Sequence, residues 1–298
     1  MMATGKGCTR TAEIAAAFST IRSENVCERL EELLPRLAHD LIAKAPENER
    51  FAAEPDSIEE HHVDWHQYGI ITHTKKVREA YHTELAALLD SWGVIHSMIK
   101  ALSSKEGGAW SRGELLEISI PLHDLGKFQR RHYWQSGVPF PDYVGHENLS
   151  KTIVMTNSTV RQTLIDAGLE ESDIQHVADL AGLHFELGKV RDVARQHQGY
   201  TIAFSKSPEA RQIFHDLVAQ YPSYALEIGL WYIIDSMGKI SLRCDASSDH
   251  ELLAMRPERE KDLSSHGLRP SLINALMQYP VNMHVAREYL RIVAPDQV

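Results

Sequence analysis

The spacing of apolar residues is the feature that most limits the folds open to this chain. In residues 11–45, leucines recur at three- and four-residue steps, as in Leu30, Leu34 and Leu37, and apolar residues keep the same step after His73. Such spacing places apolar side chains on one face of an α-helix. We find no sustained alternation of apolar and polar residues that would indicate strands, and no internal repeat. The pattern therefore predicts an all-α protein.

Helix-breaking and helix-capping residues divide this pattern into segments. Pro121 should kink its helix just before His123, because proline removes a backbone hydrogen bond. Ser207 followed by Pro208 indicates an N-cap and the first residue of a helix. We predict a polar connector at 46–68, a loop at 132–145 and a helical pair over 269–293 broken at Pro280. We predict helices over 11–45, and single helices from His73 to before Gly107 and over 113–127, 147–167, 172–186, 208–220 and 223–242.

Composition and net charge argue against a membrane protein and against a protein that binds extended nucleic acid. The 298 residues are 43% hydrophobic and 24% charged, which is typical of a globular protein. We expect a cytoplasmic protein without a membrane partner, because no run reaches the ~18 apolar residues of a membrane span and residues 1–10 lack the apolar region of a signal peptide. The net charge of -10 argues against extended nucleic acid as a partner, so any phosphate site must be local. The odd number and wide spacing of Cys8, Cys27 and Cys244 predict free thiols.

The dipeptide His-Asp occurs three times, at 39–40, 123–124 and 215–216, in a chain with 17 histidines. Only the middle copy is followed by Gly126-Lys127, one helical turn later on an apolar helix. There the imidazole and the carboxylate could both reach one ion. We expect the other two copies to lie on exposed or half-buried faces.

Four more polar residues occupy positions where a core helix should be apolar. His73 shares the face of Val77, and His184 shares the face of Val177, so each is directed inward. Asp235 lies in a helix that is apolar nearly all round, where an unpaired carboxylate would cost several kcal/mol. A cation would remove that penalty. The fourth residue, His146, opens the helix after the aromatic loop.

Together these residues resemble the motifs of the HD-domain superfamily of metal-dependent phosphohydrolases. The similarity spans about residues 65–240 and includes a His-Asp-Leu-Gly-Lys segment at 123–127 and a Gly-His-Glu segment at 145–147. The matching residues are His73, His123, Asp124, His146, His184 and Asp235. The resemblance implies an HD-type helical core at 61–245, an N-terminal helical extension and connector at 1–60, and a C-terminal helical extension at 246–298.

A site of imidazoles and carboxylates suits iron, manganese, cobalt or zinc better than magnesium or calcium. The resemblance implies two divalent ions, the first held by His73, His123 and Asp235 and the second by His146 and His184. Asp124 can bridge them with its two oxygens. Such a pair activates water for attack on a phosphoryl group. The expected catalytic residues are Asp124 and Lys127, and the expected substrate-binding residues are Lys127, Arg130 and Arg131.

Three hypotheses about function follow. The first is a hydrolase of a phosphomonoester or phosphodiester, with a nucleotide or similar small phosphorylated molecule as substrate. The second is a mixed-valent di-iron oxygenase, since a branch of the same superfamily has a similar ligand pattern. The third is a binding or regulatory module with a vestigial metal site. We expect His61, His62 and His66 to lie in a solvated connector; the alternative is that they support a metal ligand. Formation of an oligomer is left open by the sequence.

Overall fold

A computed structural model describes residues 18–45, 61–105, 108–130, 143–197 and 199–294, and within these ranges it is all-α, as predicted. No strand occurs in the described part of the chain. The helices are α1 (Ile21–Ala43), α2 (Ile70–Thr83), α3 (Leu85–Ser91), α4 (Ile95–Leu102), α5 (Arg112–Ser119), α6 (Leu125–Gln129), α7 (His146–Thr156), α8 (Ser158–Asp166), α9 (Glu171–Leu183), α10 (Val190–Gln196), α11 (Pro208–Gln220), α12 (Ala225–Gly238), α13 (Asp249–Ser265) and α14 (Ile273–Val293). Short 3-10 helices cover Ile120–Leu122, Glu186–Lys189, Phe204–Lys206 and Pro270–Leu272.

The helical periodicity was correct, but several predicted helices are shorter than expected. The helix predicted after His73 begins earlier, at Ile70, and is divided into α2, α3 and α4. Gly93, with a φ of 77°, lies at the second division. The helix predicted over 147–167 is also two helices, because the side chain of Asn157 accepts hydrogen bonds from backbone N–H groups and caps α8.

The effect of proline depends on its surroundings. Pro121 lies in the 3-10 helix between α5 and α6, so the predicted kink before His123 is confirmed. Ser207 and Pro208 begin α11 as predicted. The break predicted at Pro280 is wrong: α14 is continuous through it, and Pro280 is buried there. Packing of a long buried helix outweighs one lost hydrogen bond in this case.

Two helices were not predicted, α10 and α13. Helix α13 begins at an N-cap, Ser248, whose side chain accepts from the N–H of Glu251. Its mostly exposed surface gives it only a weak apolar face, with Leu252 and Leu263 as the buried residues. A helix with so little amphipathic character gives little signal in the apolar spacing.

Helix α12 is the centre of the larger core. All of its residues are buried, and it packs against α2 and α14. A second core includes side chains from α1, α5, α6, α7 and α9. Helices α2 and α9 contribute to both cores. The C-terminal helix α14 therefore shares a core with α2 and α12, and the domain boundaries predicted at 60 and 245 stay predictions.

Two smaller expectations concern membranes and thiols. None of the described helices is long and apolar enough to cross a membrane. Cys27 and Cys244 are free, as predicted, and both are buried, whereas Cys8 lies outside the described residues.

Candidate metal centre

The kink at Pro121 determines how His123 and Asp124 are presented. The 3-10 helix ends at Leu122 with His123 as its C-cap residue, and Asp124 precedes α6 with a non-helical φ of -103°. Both side chains are almost completely buried. The chain thus directs two adjacent polar side chains inward, which a regular helix would place about 100° apart.

Each of the four predicted histidine ligands is oriented in the same way. Its Nδ1 atom lies within hydrogen-bonding distance of a backbone carbonyl oxygen, and its Nε2 atom is left for the centre of the site. The Nδ1 to oxygen distances are 3.1 Å from His73 to Gly238, 2.7 Å from His123 to Ile120, 2.8 Å from His146 to Tyr143 and 2.7 Å from His184 to Ala181. A carbonyl oxygen only accepts, so we assign the proton to Nδ1 and the lone pair to Nε2. This arrangement is typical of histidines that bind metal ions.

The six predicted ligands form two groups of three. One group is His73, His123 and Asp235, and the other is Asp124, His146 and His184; within each group the candidate ligand atoms lie within 4.8 Å of one another. All six side chains are buried. These two groups can hold metal ions.

Asp124 faces both groups at once. Its Oδ2 atom lies 3.3 Å from Nε2 of His123 and 3.9 Å from Nε2 of His73. Its Oδ1 atom lies 3.3 Å from Nε2 of His146 and 3.8 Å from Nε2 of His184. One carboxylate oxygen is therefore directed at each group, as a bridging ligand requires.

Several contacts within the site are unfavourable for the protein alone, and a cation would make them favourable. Nε2 of His123 and Oδ1 of Asp124 are buried without a hydrogen-bond partner among the described residues. Nε2 of His146 lies 3.2 Å from Nε2 of His184, so two lone pairs face each other if both protons are on Nδ1. Buried polar atoms of this kind are rarely left unsatisfied. The donor set therefore fits bound divalent ions.

The electrostatics of the site also favour metal binding. Burial lowers the pKa of His73 and of His184, so both imidazoles are neutral near pH 7 and can donate a lone pair. Burial alone would raise the pKa of Asp124, but the electrostatic interactions with His123 and with the Lys127 ammonium group outweigh it and hold that pKa well below its ordinary value. For Asp235, the Lys239 charge and the interaction with the nearby His73 ring likewise outweigh burial and lower the pKa.

Lys127 lies in the site, where its ammonium group contacts two side chains. Its Nζ atom is 2.8 Å from Oδ2 of Asp124 and 2.9 Å from Nε2 of His61. The expectation of a solvated connector is wrong for His61, because its imidazole is buried and its ring stacks on His66 with centroids 3.5 Å apart. His61 thus supports Lys127, and the ammonium group of Lys127 in turn neutralises the carboxylate of Asp124.

Lys239 was missed by the sequence analysis. Its Nζ atom lies 2.5 Å from Oδ2 of Asp235, one helical turn earlier on the same helix. The sequence signal was the four-residue spacing of an acidic and a basic residue, which brings side chains together on a helix.

Gly126 allows α6 and α7 to lie unusually close together. Its N–H donates to Oγ of Ser150 at 2.8 Å, and a Cβ atom at this position would lie 2.1 Å from the carbonyl oxygen of His146. The glycine of the His-Asp-Leu-Gly-Lys segment thereby brings Asp124 next to His146.

A cavity of about 610 Å³ opens beside the two groups, within the size range of small-molecule sites. Ligand residues His146, His184 and Asp235 line it, together with Lys127 and Lys239. Aromatic and basic side chains form more of its wall, among them Trp65, Tyr143, Phe185, Tyr279, Lys189, Arg191 and Arg195. The two groups of candidate metal ligands, hereafter the metal groups, are thus accessible from one side.

Two further residues, Arg130 and Arg131, were predicted to bind substrate. Arg130 is exposed and is not among the described residues that line the cavity, while Arg131 lies outside the described residues. Their predicted contact with substrate stays a prediction. The His-Asp pairs at 39–40 and 215–216 are exposed, as expected.

Comparison with known proteins gives no match, whether against protein-family profiles, curated proteins or solved structures. The functional assignment therefore depends on the site itself.

Proposed function

We propose that this chain is a metal-dependent phosphohydrolase with a binuclear centre, of the HD-domain type that its sequence resembles. The supporting observation is Asp124, which directs one buried carboxylate oxygen at each of two ligand groups. The proposed substrate is a phosphomonoester or phosphodiester of a nucleotide or similar small molecule. We further propose that the protein is cytoplasmic.

In this proposal His73, His123 and Asp235 hold one ion and His146 and His184 the other, with Asp124 shared between them. When bound, iron, manganese, cobalt or zinc would supply a water of lowered pKa and polarise the phosphoryl group.

Lys127 has two functions in this proposal. Its ammonium group balances the charge of Asp124, which lies 2.8 Å away and is otherwise surrounded by imidazoles. Lys127 also lines the cavity, so it can stabilise negative charge that develops on phosphoryl oxygens during hydrolysis.

The test combines metal analysis with a substrate screen. The purified protein should contain two equivalents of a divalent transition metal, and it should release phosphate or nucleoside from members of a panel of nucleotides, phosphomonoesters and phosphodiesters. Asp124→Ala should lose both metal and activity. Asp40→Ala is the matched control, because it removes the exposed aspartate of another His-Asp pair. Protein that holds two equivalents yet hydrolyses nothing in the panel would contradict the proposal.

Changing the metal and the oxygen supply in the activity assay, and testing Asp124→Ala in the cell, separates the alternatives. Full activity with manganese under anaerobic conditions would exclude an oxygenase, whereas iron-specific activity with oxygen consumption would support one. An Asp124→Ala protein that keeps its function in the cell would instead favour a binding module.

A further inference from the structure

Arg191 is a basic residue of the cavity wall that forms no ion pair with a carboxylate in the described part of the chain. The other lysines and arginines of the wall form ion pairs: Lys127 with Asp124, Lys189 with Glu186, Arg195 with Asp192, and Lys239 with Asp235. No described carboxylate oxygen lies within 4.0 Å of the Arg191 guanidinium.

The hydrogen-bonding capacity of Arg191 is largely unused. A guanidinium has five N–H donors. In the described structure Nη2 lies 3.4 Å from the hydroxyl of Tyr232, the hydroxyl of Tyr200 is a second nearby acceptor, and Nε is buried without a partner. A half-buried cation with an unsatisfied buried donor is costly for the protein alone. It is the arrangement expected where an anionic ligand supplies the acceptors.

Aromatic rings hold the guanidinium in place. Its central carbon lies 5.2, 5.7 and 5.9 Å from the ring centroids of Phe185, Tyr200 and Tyr232. These distances are within the range of cation–π attraction, which stabilises the side chain without using its N–H donors. The position of Arg191 is therefore set before any ligand arrives.

The rings that hold Arg191 are tied to the helix that carries Asp235. The hydroxyls of Tyr200 and Tyr232 lie 2.6 Å apart and are 2.9 and 2.7 Å from Oδ1 of Asn282. Nδ2 of Asn282 donates to Oγ of Ser236, the residue after Asp235, at 2.9 Å. This network joins α12 and α14 and keeps Arg191 in a defined relation to the metal groups.

Arg191 also lies close enough to the site to act on it electrostatically. The guanidinium carbon of Arg191 and the Nζ atom of Lys239 lie 5.2 and 6.0 Å from the centroid of the same ring, that of Phe185, and both residues line the cavity. Two cations that face one cavity repel each other, and an anion bound between them would relieve the repulsion.

We propose that Arg191 binds a second phosphate of the substrate, distinct from the phosphoryl group that is hydrolysed at the metal centre. The planar guanidinium matches the geometry of phosphate oxygens. The substrate class is then a small molecule with at least two phosphates, such as a nucleoside diphosphate or triphosphate. This inference rests on the proposed function, because the first phosphate is assigned to the metal groups.

The test compares two inorganic anions, orthophosphate and tripolyphosphate, by isothermal titration calorimetry on the metal-loaded protein. Wild type should bind tripolyphosphate more tightly than orthophosphate. Arg191→Gln should lose about 10- to 100-fold in tripolyphosphate affinity, as expected for the loss of charge-assisted hydrogen bonds, and keep its orthophosphate affinity within about twofold. Metal content after the titration shows that binding, rather than removal of the ions, is measured.

Arg195→Gln is the matched control, because Arg195 belongs to the same helix and cavity wall but is exposed and paired with Asp192. It should bind both anions like wild type. Arg191→Lys keeps the charge and should retain part of the preference, which tests the proposal even if Arg191→Gln unfolds.

The two proposals fail in different ways. If Arg191→Gln and Arg191→Lys bind tripolyphosphate as tightly as wild type, or lose affinity for both anions equally, the role of Arg191 is refuted and the metal centre still stands. If the loaded wild-type protein binds neither anion, the proposed function and the role of Arg191 are both refuted.

Discussion

The substitution Gly126→Ala tests whether close packing of α6 against α7 builds the metal centre. An added Cβ would lie 2.1 Å from the carbonyl oxygen of His146 and 2.9 Å from the backbone nitrogen of Ser150, whereas real Cβ contacts essentially never fall below 3.0 Å. Because the opposing atoms belong to the backbone, a change of side-chain rotamer does not relieve the clash. The two helices must move apart.

The expected loss of stability follows from two contributions. Overpacking of this kind lowers the free energy of unfolding by about 1–3 kcal/mol. Loss or lengthening of the 2.8 Å hydrogen bond from Gly126 to Ser150 removes about 1 kcal/mol more. At about 2–4 °C per kcal/mol, the melting temperature should fall by roughly 5–15 °C.

The same movement should weaken metal binding. His146 begins α7, and its Nε2 atom lies 3.3 Å from Oδ1 of Asp124 just before α6. Moving the helices apart lengthens this distance, so we expect affinity at the group of Asp124, His146 and His184 to fall by about 10- to 100-fold, as when the support of a metal ligand is lost.

Gly182→Ala is the matched control. Gly182 lies in α9, two residues before His184, and this helix also packs against α7. The three atoms nearest to its added Cβ all belong to the side chain of Lys151, at 3.2 Å and beyond, and not to the backbone, and alanine stabilises a helix interior by about 1 kcal/mol relative to glycine. Circular dichroism melting and metal analysis should show wild-type or higher stability and full metal content. A Gly126→Ala protein with the same two properties would refute the reasoning.

Three more predictions concern pH, the ion pair at Asp235 and metal removal. Burial lowers the pKa of His61, His73 and His184 in the folded state below the ordinary 6.5. As the pH falls through 6.5, the unfolded chain therefore takes up more protons than the folded protein. The free energy of unfolding of the metal-free protein should drop by up to about 1.4 kcal/mol per pH unit for each histidine. Urea unfolding at pH 7.5, 6.5 and 5.5 measures this, and a flat profile would contradict it. Lys239→Met should destabilise the metal-free protein by about 3–5 kcal/mol, because it leaves the Asp235 carboxylate buried without the ammonium group that lies 2.5 Å away. The metal-loaded protein should lose less stability. Equal losses in both forms would argue against an ion at Asp235. For protein kept at a free metal concentration near 1,000 times its Kd, a chelator should lower the free energy of unfolding by about 4 kcal/mol, which a lower melting temperature would show. Wild-type protein that melts at the same temperature with and without chelator would count against resident ions.

Much of the fold could be predicted because helix formation leaves a local signal. The periodic leucines of α1 and the Ser207-Pro208 start of α11 depend on neighbours within a few residues, and the structure agrees with them. The failures arose where a distant contact decides the outcome. Pro280 stays within α14 because the helix is buried in the larger core, and α13 escaped notice because it buries so few residues.

The sequence by itself determined which side chains could bind metal, since a polar residue on an apolar helix face needs a partner wherever that face is buried. Only the tertiary structure decided how those side chains meet. His73 and Asp235 are 162 positions apart, yet their Nε2 and Oδ1 atoms lie 3.1 Å from each other. Likewise, the support of Lys127 by His61 and the lack of a carboxylate partner for Arg191 among the described residues depend on contacts between separate segments. Local spacing carries no information about such contacts, because they are set by how whole helices pack against one another.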